Sequence, residues 1–309
     1  MTKNHTNKKG THMKKHIDLN NKTILVTGGA GFIGSHLILR LLKELKSGTI
    51  INIDNMNNYY DTKLKDYRLA QIDEAAKTAS ANYVFIKGNI ADNNLLRNTF
   101  TNYKPSVVVN LAAQSGIDYS IDHPDTYLEY NIIGFYGILQ SCRYSKIASN
   151  AGVEHLVYAS TSDVYDGNRD ATLSTDDRTD KPASLYAATK KTNELLAYSY
   201  SQMYNIATTG LRIFPVYGPV GRPDMSYFSD TNKLTENDTY IDDVVEGIYR
   251  VIQGAPETET GEDGKKVAPY ALYNIGGGDT KSFEEDYGSI PKTDLETGIK
   301  NTLKWNRYY

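Results

Sequence analysis

Short apolar runs alternate along this chain with longer stretches in which apolar residues recur at helical spacing. The first run, residues 23–26 (Thr-Ile-Leu-Val), reads as a buried parallel strand. From Phe32 onward, Ile33, Leu37, Ile38, Leu41, Leu42 and Leu45 follow the period of an amphipathic helix. Further runs predict strands at 49–53, 83–87, 106–111, 155–159 and 208–213, with helices between them, including 126–144 and 185–204. Strands alternating with helices predict an α/β fold, a doubly wound parallel sheet that binds ligands at the carboxyl ends of its strands.

The turn between the first strand and first helix is Thr27-Gly28-Gly29-Ala30-Gly31-Phe32-Ile33-Gly34. A glycine turn in that context is a dinucleotide-binding device and marks a Rossmann-type sheet. Gly28 permits the tight turn, Gly31 lets backbone approach a pyrophosphate, and Gly34 lets the helix pack closely. The helix N-terminus then offers unpaired N–H groups to the phosphates. The second strand ends in Asp54, 20 residues beyond Gly34. A carboxylate there can accept the ribose hydroxyls of NAD and repel the extra phosphate of NADP. The run continues Asn55-Met56-Asn57-Asn58 without an arginine, so NAD is favoured. An acidic residue ending a strand is also an ordinary solvated turn.

Tyr186 and Lys190 stand one helical turn apart, and Thr161 lies 25 residues before the tyrosine. A tyrosine with a pKa near about 10 is a poor base at neutral pH. The charge of Lys190, with that of an oxidised nicotinamide, is expected to favour the phenolate. Thr161, at the end of the fifth strand, can share a hydrogen bond with a substrate hydroxyl and Tyr186. These three are the candidate catalytic residues. With 25 tyrosines in the chain, a Tyr–Lys spacing of four arises easily, so the glycine turn and Thr161 carry the reading.

Composition narrows the class. A net charge of −3 over 309 residues argues against nucleic acid or an anionic membrane as partner. The single cysteine, Cys142, makes no internal disulfide and reads as a small buried hydrophobe. No apolar run approaches the roughly 20 residues of a membrane span. The first twenty residues lack the apolar segment of a secretory signal. They are expected to be a disordered tail, and the protein to be cytoplasmic. His5, His12 and His16 in that tail are read as solvated rather than metal-binding.

TGGAGFIG, LAAQ (111–114) and YAATK (186–190) resemble the extended short-chain dehydrogenase/reductases that act on nucleotide sugars. DNMNNYYDTKLK (54–65), SLYAATKKTNELLA (184–197), VYGPVGRPDM (216–225) and TYIDDVVEGI (239–248) resemble the UDP-glucuronate 4-epimerases more narrowly. The likeness runs from about Thr23 to the C-terminus. It implies NAD as cofactor, with Asn89 and Ile90 near the adenine. Leu111, Ala112, Ala113 and Gln114 would border the cofactor's middle, and Phe214 and Val216 the nicotinamide. It implies a UDP-sugar substrate bound by Ser162, Asp163 and Arg222, the last meeting the sugar carboxylate with its planar fork. It also implies a homodimer paired through the helices at 126–144 and 185–204, with Tyr127, Tyr130, Ile133, Ile138, Leu195, Leu196 and Tyr200 as apolar stripes. A role in envelope or capsule polysaccharide synthesis follows from the same likeness.

Several positions depart from that pattern. Asn89 stands for a usual Asp, Asp118 for Arg, Gly137 for Asn, Pro215 for Thr and Asp166 for Gly. Thr161-Ser162-Asp163-Val164-Tyr165 leans toward UDP-glucuronate decarboxylases and sugar-nucleotide 4,6-dehydratases, which use an acidic residue at the place of Asp163. Those reactions, and a non-catalytic NAD-binding scaffold, are the alternatives. Longer stretches are expected between Leu234 and Thr239 and between Asp279 and Phe283, so a break in the backbone is expected at 234–239 and at 276–283. The expected division is a tail over 1–20, an NAD-binding domain over 21–213 with 239–254 returning to it, and a smaller substrate-binding domain from 214–238 and 255–309.

Overall fold

The computed structural model describes residues 13–148, 152–165, 173–225, 233–235, 238–261 and 263–306. Its centre is a seven-stranded, all-parallel sheet. In chain order the strands are β1 (Thr23–Thr27), β2 (Thr49–Asp54), β3 (Asn82–Lys87), β4 (Val107–Asn110), β5 (His155–Thr161), β6 (Thr208–Ile213) and β7 (Tyr270–Ile275). Across the sheet they run β7-β6-β5-β4-β1-β2-β3, and the order reverses between β1 and β4. The doubly wound sheet read from the alternation is therefore what the chain forms. A ligand cleft belongs at that reversal.

Both faces of the sheet are covered, which explains the unbroken apolar runs. In β1, Ile24 and Val26 pack on one face with Leu37, Ile38 and Leu41 of α1 (Phe32–Glu44). Leu25 packs on the other face with Val108, Phe135 and Ile138. Alternate side chains serve opposite cores, so polar residues are excluded from both.

The sequence reading needs four corrections. Lys14–His16 forms a short antiparallel strand against Gly254–Pro256, and Ile17 and Leu19 are buried. The expected tail over 1–20 is thus ordered from residue 13, because two apolar side chains find a core; residues 1–12 lie outside the described residues. β7 joins the main sheet through Ile213 and Ile275 in parallel register, so 255–309 is not wholly separate from it. The predicted helix at 126–144 is interrupted. A turn at Pro124–Tyr127 leads into a wide π-helical segment, Leu128–Gly134, before α4 (Phe135–Ala148) resumes regular geometry. The break expected at 276–283 is absent. The backbone passes from β7 through a turn in which Asp279 N–H donates to Leu173 O, and enters the helix Lys281–Tyr287. The other expected break includes Glu236 and Asn237, outside the described residues.

α5 (Leu185–Tyr204) matches the predicted range, and Ser184 caps it by accepting from Ala187 N–H. Beside it, a two-residue strand pair joins Val216–Tyr217 to Thr239–Tyr240 and brings residues 214–225 over the sheet's carboxyl edge.

Candidate active site

One cleft of about 650 Å³ opens at the carboxyl ends of the strands. All twenty candidate residues, from Gly28 to Arg222, lie on its walls. The chain brings them together from the loops after β1, β2, β3, β4 and β5, from the first turns of α5, and from the segment after β6.

The first wall is built by backbone fit. Gly28 has φ +73°, and a Cβ there would lie 2.7 Å from Ala112 N. A Cβ on Gly34 would lie 2.3 Å from Gly28 O, so only glycine lets α1 start this close to the turn. Asp54 is tied into the turn: Ala30 N–H donates to Oδ2 at 3.1 Å and Met56 N–H to Oδ1 at 2.9 Å. Lys65 on the helix Thr62–Ala76 brings its ammonium to 3.9 Å from the same carboxylate and donates to Asn57. Asn89 accepts from Ala91 N–H and donates to Glu129.

The second wall is electrostatic. The Thr161 hydroxyl donates to Asp163 Oδ2 at 3.1 Å. Lys190, 2% exposed, donates to Ala159 O at 2.9 Å, with its nitrogen 5.9 Å from the Tyr186 ring centre. Burial lowers the Lys190 pKa to about 8. The Tyr186 phenol is pushed up to about 12, chiefly by burial and then by the charge of Asp163; Arg222 and the Thr161 hydrogen bond offset this in part. This corrects the expectation that Lys190 lowers the tyrosine. Without a further positive charge, the low-dielectric site and a nearby carboxylate favour the neutral phenol.

Arg222 does not stand free. Its Nε donates to Asp224 Oδ1 at 3.0 Å and its Nη2 pairs with Oδ2, to which Tyr59 also donates at 3.0 Å. Burial opposes its charge, but Asp224 holds it protonated well above the ordinary range.

Sequence reasoning missed several contributors. Asp224 and Tyr59 fell within the quoted GRPDM and YYD segments, yet only Arg222 was singled out. Lys65 looked like a surface residue until the fold turned it inward. Asn131, buried in the π-helical segment, accepts from Gln114 N–H and donates to Gln114 O and Thr189. It tethers the β4 loop to α5, and a helical periodicity gives no signal for it. Among the departures, Gly137 leaves room for Leu96, whose Cδ1 would lie 2.9 Å from a Cβ there. Asp118 is exposed on the cleft's rim, and Asp166 lies outside the described residues.

Fold and cleft together define an epimerase/dehydratase-type member of the short-chain dehydrogenase/reductase fold. More particularly, the family profile described as GDP-mannose 4,6 dehydratase matches residues 25–268, and the chain belongs to that family. Protein CapI of Staphylococcus aureus is 44% identical over 273 residues, covering 82% of this chain and 78% of its own. UDP-glucuronate 4-epimerase 1 of Arabidopsis thaliana is 35% identical over 344 aligned positions, covering 93% of this chain and 77% of its own. That alignment is longer than the chain itself, so the plant protein carries stretches that this chain lacks. Among solved structures, a UDP-glucuronic acid 4-epimerase from Bacillus cereus, in complex with UDP-glucuronic acid and NAD, superposes with TM-score 0.76. It is 24% identical, with 93% of this chain and 100% of that one covered. A dTDP-glucose 4,6-dehydratase from Streptomyces venezuelae superposes with TM-score 0.75 at 24% identity, covering 92% and 96%. These likenesses show the fold. Among the described residues no helix is long and apolar enough to cross a membrane, and no cluster of potential ligands could hold a metal ion.

Proposed function

We propose that the protein is an NAD-dependent enzyme that interconverts UDP-glucuronate and UDP-galacturonate through a 4-keto sugar. The observation that carries this reading is the assembly, in one cleft, of the glycine turn, Thr161, Tyr186 and Lys190, with the charge of Arg222 facing Tyr186. The glycine turn and Asp54 fit a dinucleotide, since their close approaches leave backbone N–H groups at the start of α1 open to phosphate. Bound there, NAD supplies a hydride acceptor and donor for the sugar carbon.

Tyr186 Oη takes the proton of the C4 hydroxyl, with Thr161 Oγ1 sharing the hydrogen bond, and returns it after the keto sugar has turned. Lys190 holds positive charge below about pH 8 and steadies the phenolate once formed. Arg222 receives the sugar carboxylate in competition with Asp224. That contact opposes decarboxylation by keeping the C5–carboxyl bond out of line with the keto group.

Asp163 favours a second reading, a decarboxylase or 4,6-dehydratase. Its carboxylate touches Thr161 and faces Tyr186, where an acid–base group would serve further chemistry on the keto sugar. Incubation with UDP-glucuronate separates the readings, with products resolved by chromatography and mass. UDP-galacturonate is expected. A pentose as the main product hands the case to the decarboxylase, and no turnover of any UDP-sugar would support a scaffold.

Association into a two-fold dimer is part of the proposal. Tyr127, Ile138 and Tyr200 of the expected stripes turn inward, whereas Ile133, Leu195, Tyr198 and Met203 on neighbouring helices are about half exposed or more. Light scattering at micromolar concentration tests it, and a monomer would count against it.

A further inference from the structure

Tyr186, Lys190 and Glu194 recur every four residues on one face of α5. Glu194 is 3% exposed and lies off the cleft, yet it is the most connected carboxylate behind it. Its Oε1 accepts from Ser160 Oγ at 2.7 Å and from Arg212 Nε at 2.9 Å, and its Oε2 from Arg212 Nη2 at 2.9 Å. Ser160 precedes Thr161 on β5, and Arg212 sits beside Ser160 in register on β6. The Arg212 guanidinium lies 4.7 Å from the Tyr165 ring centre, and the Tyr165 hydroxyl donates to Asn274 on β7 at 2.6 Å. Tyr165 ends the short Ser162–Tyr165 turn that carries Asp163. One buried ion pair therefore touches the helix of Tyr186 and Lys190, the strand of Thr161 and the turn of Asp163.

Such a pair is a poor source of stability, because removing both charges from water offsets most of their attraction. What it supplies is direction. A guanidinium–carboxylate fork is planar and fixes both distance and rotation. A helix advances about 1.5 Å per residue, and proton transfer requires donor and acceptor within about 3.2 Å. A small slide of α5 along β5 would therefore separate Tyr186 from Thr161. We infer that Glu194 and Arg212, with Ser160, form a positioning clamp that sets the Tyr186–Thr161 separation and orients the Asp163 turn.

The clamp rests on Tyr186 as proton carrier, but not on which sugar is turned over. The assay therefore follows reduction of bound NAD by UDP-glucuronate and by UDP-glucose, and crystal structures measure the Tyr186 Oη–Thr161 Oγ1 separation directly. Glu194→Gln keeps the shape and loses the charged fork. It is expected to retain NAD and KM while kcat falls at least about tenfold, the scale of a sub-ångström misplacement. The separation should change by more than about 0.5 Å. Glu194→Asp keeps the charge but shortens the reach, and should not restore kcat. Ile248→Val, in the core on the far face, is the control for destabilisation alone. A Glu194→Gln loss no greater than that control's, or a loss carried by KM, would overturn the clamp, as would an unchanged separation. Should Glu194→Gln fail to fold, Ser160→Ala carries the test: kcat must drop by roughly threefold or more at unchanged melting temperature, and an unaltered kcat sinks the inference. If the wild type reduces NAD with neither sugar, the functional reading falls, and the measured separation alone decides the clamp.

Discussion

The two walls of the cleft are built on different physics. The wall after β1 and β2 is a matter of fit: Gly28 and Gly34 lie where a Cβ would strike backbone, and Asp54 is held by two backbone N–H groups. The wall formed by β5, α5 and residues 214–225 is a matter of unfavourable charge. There the phenol of Tyr186 is driven up to about 12, Lys190 is driven down to about 8, and Arg222 is pinned by Asp224. A binding wall can be satisfied in the resting state. A reacting wall must hold groups away from their preferred protonation, so that bound ligands shift them.

The difference can be broken from either side. Tyr186→Phe should leave the fit wall intact, retaining NAD in the purified protein, while turnover falls at least roughly 10²-fold. Near-normal turnover would remove the proposed chemistry. Gly34→Ala is the converse: the new methyl group meets Gly28 O, so retained NAD should fall by about tenfold or more with the titration of Tyr186 little changed. Spectroscopic quantitation of the cofactor after denaturation reads both. Arg222→Ala should slow turnover by roughly fivefold or more and move products toward a decarboxylated pentose, measured by mass. Unchanged product ratios would free Arg222 of the carboxylate.

The smallest effect is on stability. Folded Lys190 titrates near 8 against an ordinary 10.5, so below pH 8 the fold bears the cost of a buried charge. Between pH 8 and 10.5 the unfolded chain holds more protons than the folded one, so wild-type stability rises with pH through that window. Lys190→Met should therefore be more stable than wild type at pH 7, by about 1–2 kcal/mol, with the gap closing toward pH 10.5. Thermal melts across that range check it. A destabilised variant at pH 7 would show that the Ala159 hydrogen bond outweighs the burial.

The sequence by itself determined the alternation of six strands and the helices between them, because core contact on both faces imposes apolar runs on every interior strand. It also determined which turns bear the chemistry, since glycine, a strand-ending acid and a Tyr–Lys spacing are local patterns. All the residues so chosen line one cleft. Three things were decided only by the tertiary structure. β7 escaped notice because an edge strand alternates and carries polar Asn274 for a partner far away in sequence. Residues 13–20 found order only through Gly254–Pro256 and the buried Ile17 and Leu19. The direction of the Tyr186 shift depended on burial and on Asp163, neither of which the four-residue spacing to Lys190 contains. Local spacing names the reacting groups, but their protonation is set by the charges and the dry surroundings that the folded chain places around them.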